Sequence, residues 1–111
     1  MKNEITYHIP NKIELNRSYM PFVLNGGLFI PTTENYTLNA IITAHIKLPD
    51  ENTVTEINAT VIWLTPPNAI DYPKTGIGVQ FIGDNGTALK DKILMALDNT
   101  YAIGGYIFGN E

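Results

Sequence analysis

Over most of this chain, apolar and polar residues alternate with a period of two; near its end the period becomes 3.6. In Glu4–Asn16, Ile5, Tyr7 and Ile9, and later Ile13 and Leu15, share one side. Pro10–Asn11 divides this run into a predicted arm (4–9) and a short strand (12–16). Leu28–Pro31 reads as a buried strand that ends at its proline, and Thr32–Leu38 as a polar connector anchored by Tyr36 and Leu38. Ala40–Leu48 sets Ile42, Ala44, Ile46 and Leu48 on one face, with Thr43, His45 and Lys47 on the other. Pro49–Asp50–Glu51–Asn52 is turn chemistry, so the next run, Thr53–Thr65, closes a hairpin with it. There Val54, Ile57, Ala59, Val61 and Trp63 supply one side, and a phase slip between Val54 and Ile57 predicts a bulge. That phase places Trp63 with Val61 and Ala59 in the core.

Pro66–Thr75 holds three prolines and predicts a loop. Gly76–Ile82, GIGVQFI, is a strand whose glycines permit close packing or a kink. The helical pattern comes last: Ala88, Leu89, Ile93, Ala96 and Leu97 recur behind Asp84 or Asn85 as cap, and Asp98–Asn99 offers a stop. Residues 99–111 form an apolar, glycine-broken tail, expected to dock on the body or on a partner. These runs predict one mainly β domain over 1–111. It comprises a small antiparallel six-stranded β-barrel (about 10–82), one C-terminal α-helix (about 85–98) and the tail.

Between the arm and the first buried strand lies SYMPFVLNGGLFIPT, Ser18–Thr32. Gly26–Gly27 allow positive φ or close approach of another chain, and Pro21 and Pro31 hold the path extended or turned. Its large apolar side chains either plug the core or form a surface for a partner.

Composition narrows the choice. The chain has 111 residues, 44% apolar and only 16% charged, which is globular and far from the signature of disorder. Net charge is −4, Arg17 is the single arginine and the lysines form no stripe, so nucleic acid is not an expected partner. There is no cysteine, hence no disulfide and no thiolate metal site. Lys2, Glu4, Lys12, Glu14 and Arg17 leave no secretory apolar core in the first twenty residues, and no apolar run reaches the roughly 18 residues of a membrane helix. The expectation is a cytoplasmic location.

Candidate chemistry is sparse. His8 and His45 stand on separate strands in no metal-binding spacing and are expected to face solvent; Ser18, the only serine, has no nucleophile-elbow context. The acids sit at turns or on the helix, where solvation and capping account for them. No enzyme and no cofactor is expected; the alternatives are a binding module and a structural β-domain.

SYMPFVLNGGLFIPT, then ATVIWLTP, then GIGVQF followed by a helix, together resemble the PilZ domain family over roughly residues 10–98. Within it the chain is similar to the type IV pilus assembly branch, where a YMPF segment followed by GGLFxPT is typical. The resemblance implies a PilZ-type barrel. It also introduces cyclic di-GMP, which most PilZ domains bind through an RxxxR motif in the N-terminal arm and a D/NxSxxG motif at an early strand. Registered on Gly27, the second motif would place its acid at Phe22 and its serine at Leu24; around Arg17, the first motif's second arginine would fall on Ile13 or Pro21. The expectation is a chain that does not bind cyclic di-GMP itself.

Members of the pilus branch act as adaptors in twitching motility, binding the pilus-extension ATPase and a degenerate EAL-domain protein that senses the dinucleotide. The resemblance implies those partners here. Tyr19, Met20, Pro21, Phe22, Phe29 and Trp63 are the expected partner-binding residues, with Phe22 turned inward and Tyr19 outward. The alternatives are a cyclic di-GMP receptor with an atypical site and an oligomerising β-domain.

Overall fold

Five of the alternating runs, together with the two-residue strand Tyr19–Met20, pair into one sheet in a computed structural model of the chain. It describes residues 2–66 and 75–104, the last seven (98–104) as backbone only. The elements in order are β1 (Glu4–His8), α1 (Lys12–Ser18), β2 (Tyr19–Met20), β3 (Gly27–Pro31), β4 (Ile41–Lys47), β5 (Thr55–Leu64), β6 (Gly76–Ile82) and α2 (Gly83–Gly104). The sheet order is β1-β4-β5-β6-β3-β2. It curls into a half-barrel, and its concave face carries the residues that the period-two pattern set inward: Leu28 and Ile30, Ile42 and Ile46, Val79 and Phe81. Helix α2 packs on β5 and β6 and fills the hollow with Leu89, Ile93 and Leu97, spaced four apart on one stripe. The mainly β, six-stranded architecture with a C-terminal helix is the one expected.

Its pairing is not wholly antiparallel. β1 runs parallel to β4, with Glu4 opposite Thr43 and His8 opposite Lys47, while the other pairs are antiparallel. β1 and β2 are the two margins of the sheet.

The short strand expected over 12–16 is instead helix α1. Asn11 caps it: its Oδ1 accepts from Glu14 N at 2.9 Å, the first half of a capping box whose third residue is that glutamate. Ile13 and Leu15 share a face in a strand but lie about 200° apart on a helix. Accordingly Leu15 is buried whereas Ile13 is 64% exposed.

The bulge lies later than expected. Val54 is outside β5, in the turn where Asp50 takes a φ of 64°, and that placement accounts for the phase slip seen in sequence. The irregularity sits between Val61, opposite Val79, and Trp63, opposite Gly78. One extra residue, Ile62, turns Trp63 from the core face to the outer face. Helix α2 also begins earlier and ends later than expected. Asp84 and Asn85 lie within its first turn, where Asn85 Nδ2 donates to Glu56 O at 3.2 Å, and Asp98–Asn99 is passed because those residues weaken helices without breaking them. Residues 67–74 of the proline loop and the tail beyond 104 lie outside the described residues.

Candidate protein-binding surface

The stretch from Ser18 to Thr32 becomes β2, a turn and β3. Tyr19 pairs with Leu28 and Met20 with Gly27, so Tyr19 lies on the inner face and Met20 on the outer. Between them, Val23 N donates to Met20 O at 3.2 Å and Gly26 N to Val23 O at 2.8 Å. Asn25 and Gly26 take φ of 66° and 83°, the left-handed region that amide side chains and glycine tolerate. Gly27 answers a different need, since a Cβ there would lie 2.7 Å from Val79 O.

Three further bonds lock the turn to β6. Asn25 Nδ2 donates to Phe81 O at 3.0 Å, Gln80 Nε2 to Leu24 O at 2.9 Å, and Phe81 N to Gly26 O at 3.0 Å. A turn held in this way leaves its side chains little choice. Phe22 is 80% exposed and Leu24 83%, with Pro21 exposed beside them. The expected orientation is thus reversed: Phe22 points outward, and Tyr19, only 9% exposed, is the residue packed inside. Burial raises the Tyr19 phenol above the ordinary tyrosine range.

A second apolar feature lies on the outer face. β6 presents Gly76 and Gly78 there, and without side chains between them Phe29 of β3 and Trp63 of β5 meet at 6.1 Å between ring centroids, tilted by 58°. The Met20 thioether reaches the same place, within 3.6 Å of where a Cβ on Gly78 would stand. Met20, Phe29 and Trp63 are all half-buried and form a soft aromatic platform. Of the six expected contact residues, the structure brings these three together, leaves Pro21 and Phe22 on the turn and withdraws Tyr19. Leu24, the most exposed large apolar side chain among the described residues, was not among them. Its signal was present in the motif register, which set it beside Phe22.

Polar chemistry on the outer face is limited. His45 on β4 lies between Glu4 Oε1, 3.0 Å from its Nε2, and Glu56 Oε1, 3.8 Å from its Nδ1, while His8 is exposed. His45 is therefore half-buried between two carboxylates rather than open to solvent. Among the described residues, no group of three or more His, Asp or Glu is placed to hold a metal ion.

A curled six-stranded sheet closed by a C-terminal helix, with a rigid glycine turn presenting side chains, defines a small binding domain. The PilZ domain family matches residues 3–97, nearly the whole of that structure, and the chain belongs to this family. No curated protein matches the chain. PilZ domains are in general non-enzymatic binding domains, either cyclic di-GMP receptors or adaptors. Among the described residues, no helix is long and apolar enough to cross a membrane.

Proposed function

We propose that the chain is a non-enzymatic adaptor of the type IV pilus assembly branch. In this reading it acts in the cytoplasm in pilus biogenesis and twitching motility. It joins the pilus-extension ATPase to a degenerate EAL-domain regulator and does not bind cyclic di-GMP itself. The observation that carries the reading is the pair Phe22 and Leu24, which stand where the dinucleotide motif has its acid and serine and project at 80% and 83% exposure. A nucleotide would meet two hydrocarbon side chains where it needs acceptors. The single arginine, Arg17, lies on α1 and is ion-paired with Glu14 at 3.2 Å on an exposed face. Each missing charge-assisted hydrogen bond forgoes about 1.5–3 kcal/mol. The same turn suits a protein partner, because exposed aromatic and aliphatic anchors on a rigid loop lose little entropy on docking.

Two measurements test this. Calorimetric titration of the purified chain with cyclic di-GMP is expected to show no binding; micromolar or tighter binding overturns the adaptor reading. Co-purification with the extension ATPase is expected for the wild type and not for Phe22→Ser/Leu24→Ser. An ATPase that fails to associate with the wild type would remove the pilus role.

A further inference from the structure

Helix α2 meets the Phe22–Leu24 turn with one flank. Thr87, Lys90 and Leu94 follow one another at intervals of three and four, so they share a side of the helix, next to the buried stripe of Leu89, Ile93 and Leu97. Thr87 Oγ1 lies 3.4 Å from Asn25 Oδ1. The Lys90 stem lies against Gly26: a Cβ there would stand 3.2 Å from Lys90 Cγ, 3.3 Å from its Cδ and 3.2 Å from Tyr19 Oη. Leu94, one helical turn beyond Lys90, is 45% exposed. The flank thus carries the apolar surface of Phe22 and Leu24 onward from the turn, with Lys90 in its middle.

The charge at that place is unmatched. Lys90 is half-buried, and among the described residues its ammonium has no ion-pair partner. Gly86, Thr87, Ile93 and Leu94, three or four places away on α2, carry no carboxylate, and no residue from Ser18 to Thr33 is an acid. Asp91 is adjacent in sequence, but consecutive residues on a helix do not face each other. Lys92 supplies the contrast. It stands on the opposite flank, where its Nζ is 3.5 Å from Glu51 Oε1, so its charge is used within the chain. A partner covering Phe22, Leu24 and Leu94 would also take water away from the Lys90 ammonium. A cation desolvated alone is costly, so the partner must match it.

We propose that the Thr87–Leu94 flank of α2 belongs to the protein-binding surface, and that the segment docking there is apolar and acidic. Its apolar side chains cover Phe22, Leu24 and Leu94, and a carboxylate among them pairs with Lys90. This rests on the adaptor reading and names the chemistry of the extension-ATPase segment that makes the contact. The Lys90 stem is already packed on Gly26, so pairing its head costs little further side-chain entropy. The pair serves selection as well as affinity. An apolar segment without the acid leaves Lys90 covered and unpaired, and a segment with a basic residue there is repelled.

Calorimetric titration of the full chain with the purified extension ATPase, over a salt series, tests the proposal. Lys90→Met keeps a packed stem and removes the charge, so binding is expected to weaken roughly tenfold with an unchanged melting temperature. Lys90→Gln gives the same comparison if the methionine variant does not fold. Lys90→Arg and, on the opposite flank, Lys92→Met are expected to bind as the wild type does. Wild-type affinity is expected to fall as salt rises, and that of Lys90→Met to change much less. A wild type that binds no better than folded Lys90→Met and Lys90→Gln, with the same salt dependence, overturns the proposal and leaves the adaptor reading standing. A wild type that does not bind the ATPase removes both.

Discussion

Phe29 and Trp63 touch although a whole strand lies between theirs. Phe29 is opposite Gly78 on one side of β6, Gly78 is opposite Trp63 on the other, and the two rings close over the glycine at 6.1 Å. Gly78→Ala places a Cβ 3.2 Å from Trp63 Cβ and 3.3 Å from Met20 Cε. The methionine end can swing away, but the tryptophan stem is fixed to β5. The expected cost is about 1–3 kcal/mol, at roughly 4–8 °C of melting temperature per kcal/mol. The emission of the chain's one tryptophan should shift with it. Gly76→Ala should cost more, because its Cβ would run into Ile30 O, and a backbone atom cannot step aside. Thermal melts of the two variants, compared directly, check the order.

The turn separates binding from stability. Phe22 and Leu24 are so exposed that truncating either to alanine should change stability by less than about 0.5 kcal/mol. Affinity for the extension ATPase should fall by about 2 kcal/mol, roughly thirtyfold, if they are anchors. Tyr19→Ala should show the reverse emphasis, losing about 3 kcal/mol of stability because the ring is packed inside. Loss of binding in that variant alone would not identify a contact. Parallel melts and pull-downs of the three variants distinguish these outcomes.

What could be read from the chain, and what could not, turns on single residues. β3, β4 and β6 were legible because strict alternation with one face buried leaves a strand one acceptable register. α1 was misread because two apolar residues at i and i+2, Ile13 and Leu15, imitate a strand; Asn11 followed three residues later by Glu14 was the stronger signal. Trp63 was set on the wrong face because a bulge adds one residue, and one residue inverts every side chain after it. The inward Tyr19 and outward Phe22 were hidden for a related reason. Their directions follow from β2 pairing with β3 and from Asn25 and Gln80 bonding to backbone more than fifty residues away in sequence. Tertiary bonds of that range leave no periodic trace.

The cap of α1 should be measurable by itself. Asn11→Ala removes the acceptor for Glu14 N while changing no buried side chain. The expected loss is about 1 kcal/mol, and Asn11→Asp should retain most of the stability because its carboxylate also accepts and favours the helix N-terminus. Denaturant midpoints at constant slope check this.

Alkaline pH should unfold the chain through its buried phenols. Burial raises the Tyr19 hydroxyl, and burial followed by the nearby Glu34 carboxylate raises that of Tyr36, which also donates its proton to Glu4 O at 2.6 Å. In the unfolded chain both titrate near the ordinary tyrosine value of about 10. A folded-state value above that means the native protein holds protons that the unfolded chain has released. Stability is therefore level below about pH 10 and falls as pH rises through the unfolded value toward the folded ones. Tyr19→Phe should flatten part of that fall at little cost near neutrality. Tyr36→Phe should flatten it as well but lose about 1 kcal/mol at pH 7, because the Glu4 carbonyl loses its donor. Urea unfolding from neutral pH into this alkaline range reads both effects, and a wild-type curve that stays level through it would show that neither hydroxyl is held protonated by the fold.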